Sequence, residues 1–371
     1  MSAQQNSKAP ERYHIAVVGA GRMGQVRLAS MLLNPRVRIA GIVDADHDRA
    51  TEAATRFSTQ PFDDLTQALS QDNLDAVWIA TSTPSHRSII EAANCSVARL
   101  IGVEKPVGTN PTDIQACYTA VKASGKHLLC SFQRRFDRHF QAAADAVRNG
   151  SIGTPLSVHA IFRDHPLPSR EFLKTGGDPF HDLAVHDIDY VCSVIPGDIV
   201  EVVAYANSSN PELAAMGVFD NATCVALFDT GVRLTMDLSR GSCYGYDQRV
   251  EFFGTKGVAA VENVQEQSAV IGDVDGFRRS ITVGQFHQRF AAAFSEEIEE
   301  MIRILDGEAR PAVSVEAACK TTIVAEAMRL SAIERQQIRI CYDSSEIGRA
   351  KYQRSYPSSL AYPREVTSED W

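Results

Sequence analysis

Long hydrophobic runs are missing from this chain. No uninterrupted apolar segment approaches the length needed to span a bilayer, which excludes a helical membrane protein. Closely spaced cysteines are missing too. Eight of them (Cys95, Cys117, Cys130, Cys192, Cys224, Cys243, Cys319, Cys341) are scattered without a CxxC pair, a pattern that excludes a zinc ribbon and fits reduced thiols rather than a disulfide framework. Positive charge is in deficit: the formal net charge is −9, which argues against a nucleic-acid surface and gives no reason to expect an anionic membrane as partner. The opening residues, MSAQQNSKAPER, lack the apolar core of a secretory signal, so a cytoplasmic location is expected, and Asn207-Ser-Ser and Asn221-Ala-Thr carry no weight as glycosylation sites. His181 and His186 stand five apart, whereas the HExxH zinc geometry needs histidines four apart. With no second Cys/His cluster, no metal is expected.

What remains is ordinary in bulk: 371 residues, 44% hydrophobic and 22% charged. That is enough for two domains with separate cores.

Tyr13 to Val18 is a short β-forming run leading into Gly19-Ala-Gly-Arg-Met-Gly24. An apolar-periodic segment follows, with Val26, Ala29, Met31, Leu32 and Leu33, and stops at Asn34-Pro35. A strand, GxGxxG and a helix form the context in which these glycines mean dinucleotide binding. Gly19 allows the tight turn, Gly21 lets backbone approach a pyrophosphate, and Gly24 lets the helix pack on the strand. Arg22 and Met23, inside the loop, are expected at the cofactor with them. A second strand, Val37 to Val43, ends in Asp44, placed to accept hydrogen bonds from both ribose hydroxyls and to repel a 2′-phosphate. No Arg or Lys directly follows it, and Arg49 is about a helical turn away, so NAD is favoured over NADP.

The alternation continues through strands at Asp75 to Ala80, Arg99 to Val103 and Lys126 to Ser131. The series is read as six strands with intervening helices, a complete doubly wound domain. In such a sheet the loops after strand carboxyl ends hold the ligand. Thr81, Thr83, Pro84 and His86 should therefore border the cofactor, as should Glu104 and Lys105, although His86 sits at a helix start where a structural role is equally open. Lys105 is either a solvated surface charge or a ligand-facing cation. Pro106 restricts it to extended backbone, and the sequence leaves the isomer of that bond open.

Beyond a helix-like stretch at Arg138 to Arg148, strand-like runs follow at Leu156–Phe162, Ile199–Ala206, Ala222–Phe228, Val232–Leu238, Arg249–Phe253 and Val258–Glu262, joined mostly by short turns. Helical patterns return at Phe286–Leu305 and Val315–Glu334. The predicted fold is α/β: an N-terminal doubly wound Rossmann domain plus a C-terminal α+β domain with one large, mostly antiparallel open sheet. The expected boundaries are a flexible tail at 1–12, the cofactor domain at 13–135, the substrate and oligomerisation domain at 136–345 and a C-terminal arm at 346–371. A large open sheet must cover its second face, and another subunit is a natural cover. A homodimer or homotetramer is expected.

Within the second half, Gly176 to Tyr190 (GGDPFHDLAVHDIDY) puts a glycine loop ahead of a short helix. Asp182 and His186, four apart, would share one face of it. They are either a proton-transfer pair or a structural surface pair.

Taken together, GAGRMG, Glu104-Lys105-Pro106 and the GG…D…HDID block resemble the glucose-fructose oxidoreductase/inositol dehydrogenase/rhizopine catabolism family. Gln133-Arg-Arg-Phe-Asp137 and Tyr244-Gly-Tyr-Asp247 with Glu251 and Gly254 resemble segments of its inositol 2-dehydrogenases, and the likeness runs from about residue 13 to 340. The resemblance implies that Lys105, Asp182 and His186 stand at the hydride-transfer site, with Arg135, Asp164 and Tyr246 facing substrate. The implied activity is NAD-dependent oxidation of a secondary alcohol in a cyclic polyol or sugar, myo-inositol foremost. Such a reaction needs a hydride acceptor, a base and a charge for the developing alkoxide. His186, with an ordinary pKa of about 6.5, suits the base. Asp182 orients it or holds a substrate hydroxyl, and Lys105 supplies the positive charge. Another sugar or dihydrodiol dehydrogenase, an NAD-dependent glycosidase and a non-catalytic NAD-sensing regulator are the alternatives.

Overall fold

The computed structural model describes residues 12–175, 177–209, 211–343 and 345–354. The expected tail up to residue 11, Gly176 of the glycine loop and the arm beyond residue 354 lie outside the described residues. The chain divides into two compact units. One runs to Asp137 and adds Ala291–Ala318; the other holds Arg138–Phe290 and the chain from Cys319 onward.

The first unit is built on five parallel strands, β1 (Tyr13–Val18), β2 (Val37–Val43), β3 (Ala76–Ile79), β4 (Leu100–Glu104) and β5 (His127–Ser131), in the order β2-β1-β3-β4-β5. Strands β3 and β4 are buried at every position, as strands covered on both faces require. The order reverses between β1 and β3, so the loops leaving those two strands flank the crevice where such sheets bind ligands. Three of its helices start where a carboxylate or amide side chain caps them: Asp46, Asp64 and Asn110 each accept from a backbone N–H three residues on.

Two expectations are corrected here. Among the described residues no sixth parallel strand forms, because after β5 the chain turns through a short 3-10 helix at Gln133–Phe136 and departs into the helix Arg138–Arg148 of the second unit. The helix Ala291–Leu305, expected in the second domain, belongs to the first unit. It packs on β4, β5 and the helix Arg22–Leu32, and its Ile298, Met301, Ile302 and Leu305 join one buried cluster with Ile15, Val17, Leu28 and Trp78.

The second unit carries an eight-stranded sheet in the order β11-β10-β6-β9-β8-β7-β14-β15. These strands are β6 (Pro155–Arg163), β7 (Ile199–Asn207), β8 (Asn221–Phe228), β9 (Arg233–Ser239), β10 (Asp247–Gly254), β11 (Gly257–Val261), β14 (Ile338–Tyr342) and β15 (Ala350–Arg354). The two missing numbers are a separate hairpin, β12 (Val270–Asp273) and β13 (Gly276–Arg279). No sequence pattern predicts the last two sheet strands, and β15 falls within the expected C-terminal arm. Every pairing is antiparallel except one: β6 and β9 run parallel, with Arg163 opposite Ser239. Along β8 and β9 buried and more exposed residues alternate, the signature of a sheet with one covered face. The other face exposes Tyr205, Val225 and Phe253. Among the described residues no helix is long and apolar enough to cross a membrane.

Candidate active site

In the first unit the glycine loop separates its three roles sterically. Gly19 has φ +97°, and a Cβ there would lie 2.7 Å from Ala80 O, so a tight turn at close quarters admits no side chain. A Cβ at Gly24 would lie 2.0 Å from Gly19 O, which keeps the helix against its strand, whereas at Gly21 nothing comes within 4 Å. Room for a ligand exists at the glycine expected to face a pyrophosphate, at the N-cap of the helix Arg22–Leu32. Arg22 and Met23 are its first residues. Asp44, one residue beyond β2, accepts from the Ala20 amide at 2.7 Å and is fixed against the loop. Arg49 reaches it at 3.4 Å while also pairing with Asp46. These residues fit a dinucleotide with a free ribose diol.

The loop after β3 holds Thr81, and Thr83 and Pro84 open the helix Thr83–Asn94. Thr81 Oγ accepts from Ser85. His86, expected at the cofactor, is 1% exposed, with ring nitrogens 2.8 Å from Pro106 O and 3.0 Å from Thr81 O. It ties the Thr81 loop to the turn after β4, and burial pushes its pKa down. A neutral imidazole donates through one nitrogen only, so one of those two approaches is not a hydrogen bond.

Glu104 ends β4 and Lys105 follows it, half-buried, with a cis peptide to Pro106. Glu104 does not point at solvent. Arg27 Nε donates to it at 2.5 Å and Trp78 Nε1 at 3.0 Å. Arg27 Nη1 donates to Glu297 at 2.6 Å, and its guanidinium lies 4.5 Å from the Trp78 ring and 4.7 Å from the Phe294 ring. Ser131 joins at 3.0 Å from Glu297. Burial pushes the Glu297 carboxyl up to about 7, against the pull of Arg27. This buried cluster, absent from the sequence reading, anchors the strand end that carries Lys105. Arg135, expected at substrate, donates to Ala312 O at 3.0 Å in this unit.

In the second unit the parallel pairing of β6 and β9 brings both strand exits to one edge of the sheet. Asp164 and Arg240, each one residue beyond its strand, meet there, and Asp164 N donates to Ser239 O at 2.8 Å. Strand β10 begins at the same edge, with Asp247 opposite Arg163, so the Tyr244–Asp247 segment arrives alongside. Tyr246 is buried, its ring edge-on to Phe162 and Phe290, and the His186 ring lies 6.0 Å from that of Phe162.

The Asp182–His186 stretch departs from the expected regular helix. It opens as a π-helical turn, Pro179–Ala184, and becomes α-helical at Val185–Val194. Asp182 falls in the wider turn and His186 in the α-helix after it, and such turns recur at functional sites. Asp178 caps it, accepting from the amides of Phe180 and His181 at 2.8 and 2.9 Å. Burial works against its charge, but the His181 side chain and those amides hold its carboxyl below the usual range. An aspartate directly before Pro179 is the capping signal that could have been read from sequence.

Asp182 is held by a residue the sequence reading missed. Arg240, wholly buried, donates from Nη1 to Asp182 at 2.7 Å and lies 3.6 Å from Asp164, while Nη2 donates to the carbonyls of Gly177 and Asp178. A lone arginine after a strand carries no local mark of that role.

Known proteins resemble the chain along most of its length. The model of an oxidoreductase family with an NAD-binding Rossmann fold matches residues 13–132, and that of the GFO/IDH/MocA C-terminal domain matches 140–260. A myo-inositol 2-dehydrogenase of Thermotoga maritima is 30% identical over 88% of this chain and 98% of its own length. A scyllo-inositol 2-dehydrogenase (NAD(+)) of Bacillus subtilis is 28% identical over 81% of this chain and 88% of its own. The crystal structure of a myo-inositol dehydrogenase from Corynebacterium glutamicum superposes with a TM-score of 0.83 at 25% identity, covering 90% of this chain and all of that one. With the glycine loop, Asp44 and both domain types in place, the chain belongs to the GFO/IDH/MocA family of NAD-binding oxidoreductases.

Proposed function

We propose that this protein oxidises a secondary alcohol of a cyclic polyol of the inositol type, with NAD as hydride acceptor. The observation that carries the reading is the meeting of Asp164 and Asp182 on one buried guanidinium, beside the Phe162–His186 contact. Fixed carboxylates accept hydrogen bonds from hydroxyls, and an imidazole nearby suits removal of a hydroxyl proton at neutral pH. Lys105, Asp182 and His186 are the proposed catalytic residues: His186 takes the proton, Asp182 holds a substrate hydroxyl, and Lys105 offers a positive charge to the developing alkoxide. NAD, when bound, supplies the two-electron acceptor. Gly19, Gly21, Gly24 and Asp44 are the proposed residues for it.

The test is NADH absorbance with a panel of inositols, aldoses and dihydrodiols. NADH formed with an inositol supports the reading, and NADH formed only with aldoses or dihydrodiols moves the substrate elsewhere. Sugar release without net NADH would mark an NAD-dependent glycosidase, and NAD binding without turnover a sensor.

The reading extends to assembly. The exposed sheet face bearing Tyr205, Val225 and Phe253 is proposed to meet a second copy. Light scattering tests it: a monomeric mass at micromolar concentration would reject it.

A further inference from the structure

Arg240 makes no contribution to a regular element, yet it is one of the largest wholly buried side chains in the protein. Its backbone is fixed, since its amide donates to Asp220 O at 2.7 Å. From that anchor the planar fork reaches two different structures. Nη1 faces Asp182 of the π-turn at 2.7 Å and Asp164 of the β6 exit at 3.6 Å. Nη2 binds the carbonyls of Gly177 and Asp178, the residues that lead into the π-turn. The Phe172 ring lies 5.8 Å from the guanidinium. Only a delocalised fork reaches a carboxylate pair and a backbone segment at once; an ammonium is a single point.

The exposures differ in a useful way. The Arg240 side chain is 0% exposed, but those of Asp164 and Asp182 are 13% and 21% exposed. The cation is spent inside, while each carboxylate keeps a partly open edge. The guanidinium lies between them, 2.7 Å from Asp182 and 3.6 Å from Asp164. It keeps two like charges together that would otherwise repel.

We infer that Arg240 is the positioning residue of this site: it holds Asp164 and Asp182 as two fixed, adjacent acceptors, selecting a substrate with two neighbouring hydroxyls and leaving proton removal to His186. The inference rests on the polyol-oxidising reading and narrows its substrate class to vicinal diols.

The test compares the wild type with Arg240→Met, Arg240→Lys and Asp164→Asn, using an inositol, its monodeoxy analogue lacking one neighbouring hydroxyl, and NAD affinity by fluorescence. Wild-type protein should lose about tenfold or more in kcat/KM on the deoxy analogue, the loss expected when a charged acceptor goes unmet. Asp164→Asn should abolish most of that discrimination by lowering kcat/KM on the inositol toward its value on the deoxy compound. Arg240→Met should cost about a hundredfold in kcat/KM, as misplaced groups do, with NAD affinity unchanged. Arg240→Lys should recover part of that loss, because it restores the charge without the fork. If Arg240→Met does not fold, Arg240→Lys and Asp164→Asn decide the matter alone. Discrimination in Asp164→Asn equal to wild type, or Arg240 variants that keep kcat/KM within twofold, would overturn the inference while leaving the polyol reading intact. A wild-type enzyme that oxidises no polyol overturns both.

Discussion

Two arginines, one in each unit, solve the same problem differently. Arg27 and Arg240 are both wholly buried, and each bridges two carboxylates from separate elements. Around Arg27 everything is sealed. Glu104 and Glu297 side chains are 10% and 0% exposed, and aromatic rings lie close to the guanidinium. Around Arg240 the carboxylates keep open edges. The same charge triad serves as a fastener in one place and as a frame for a ligand in the other. What separates the two is the second carboxylate, 0% exposed for Glu297 and 21% exposed for Asp182.

A third copy of the motif lies at the surface and calibrates the pair. Arg303 Nη2 reaches Glu296 at 3.1 Å and Glu300 at 2.9 Å, with the arginine 44% exposed. Substitutions that break each triad should therefore fall in a definite order. Arg27→Met, which strands Glu104 and Glu297 without their cation, should destabilise the protein by about 3–5 kcal/mol, read as the largest drop in denaturation midpoint. His186→Ala should lower kcat about a hundredfold while leaving NAD affinity near wild type. Glu297→Gln should act through pH. A carboxyl pushed up to about 7 from an ordinary 4.5 binds its proton more tightly when folded, so its stabilising contribution is complete below about 4.5 and is lost as pH rises through 7. The amide variant should lack that decline, and unfolding curves between pH 4.5 and 8 would record it. Arg303→Ala should cost under about 1 kcal/mol, the scale of exposed pairs. If Arg303→Ala matched Arg27→Met, burial would not be what distinguishes the triads.

Much of this was legible in the sequence, for reasons that are local. The glycine loop, Asp44 and the strand–helix alternation each need only a few neighbouring residues to declare themselves, and the large sheet of the second unit followed from short alternating runs. The failures are long-range. Arg27 meets Glu104 and Glu297 across 77 and 270 residues, and Arg240 meets Asp182 across 58. Nothing near Arg27 says that its charge will be buried, since a charged residue in an amphipathic helix ordinarily reads as solvated. The helix Ala291–Leu305 looked the same whichever unit it packed on, because periodicity reveals a buried face without naming its partner. β14 and β15 lie on the chain after the last helical pattern, and each is only five residues long. For His86 the sequence leaves a structural role and a place beside the cofactor equally open, and its ring faces two backbone carbonyls.

The late return of the chain to the first unit has a consequence for how the protein is made. Synthesis runs from the N-terminus at about 5–20 residues per second, so Arg27 emerges on the order of tens of seconds before Glu297, 270 residues later. Until Ile298, Met301 and Leu305 appear, the parallel sheet has an apolar face that the helix Arg22–Leu32 covers only in part and a cation lacking one of its two carboxylates. The nascent cofactor-binding half is therefore the exposed, aggregation-prone species on the ribosome, and chaperone protection during translation should matter most between the completion of β5 and the arrival of that helix.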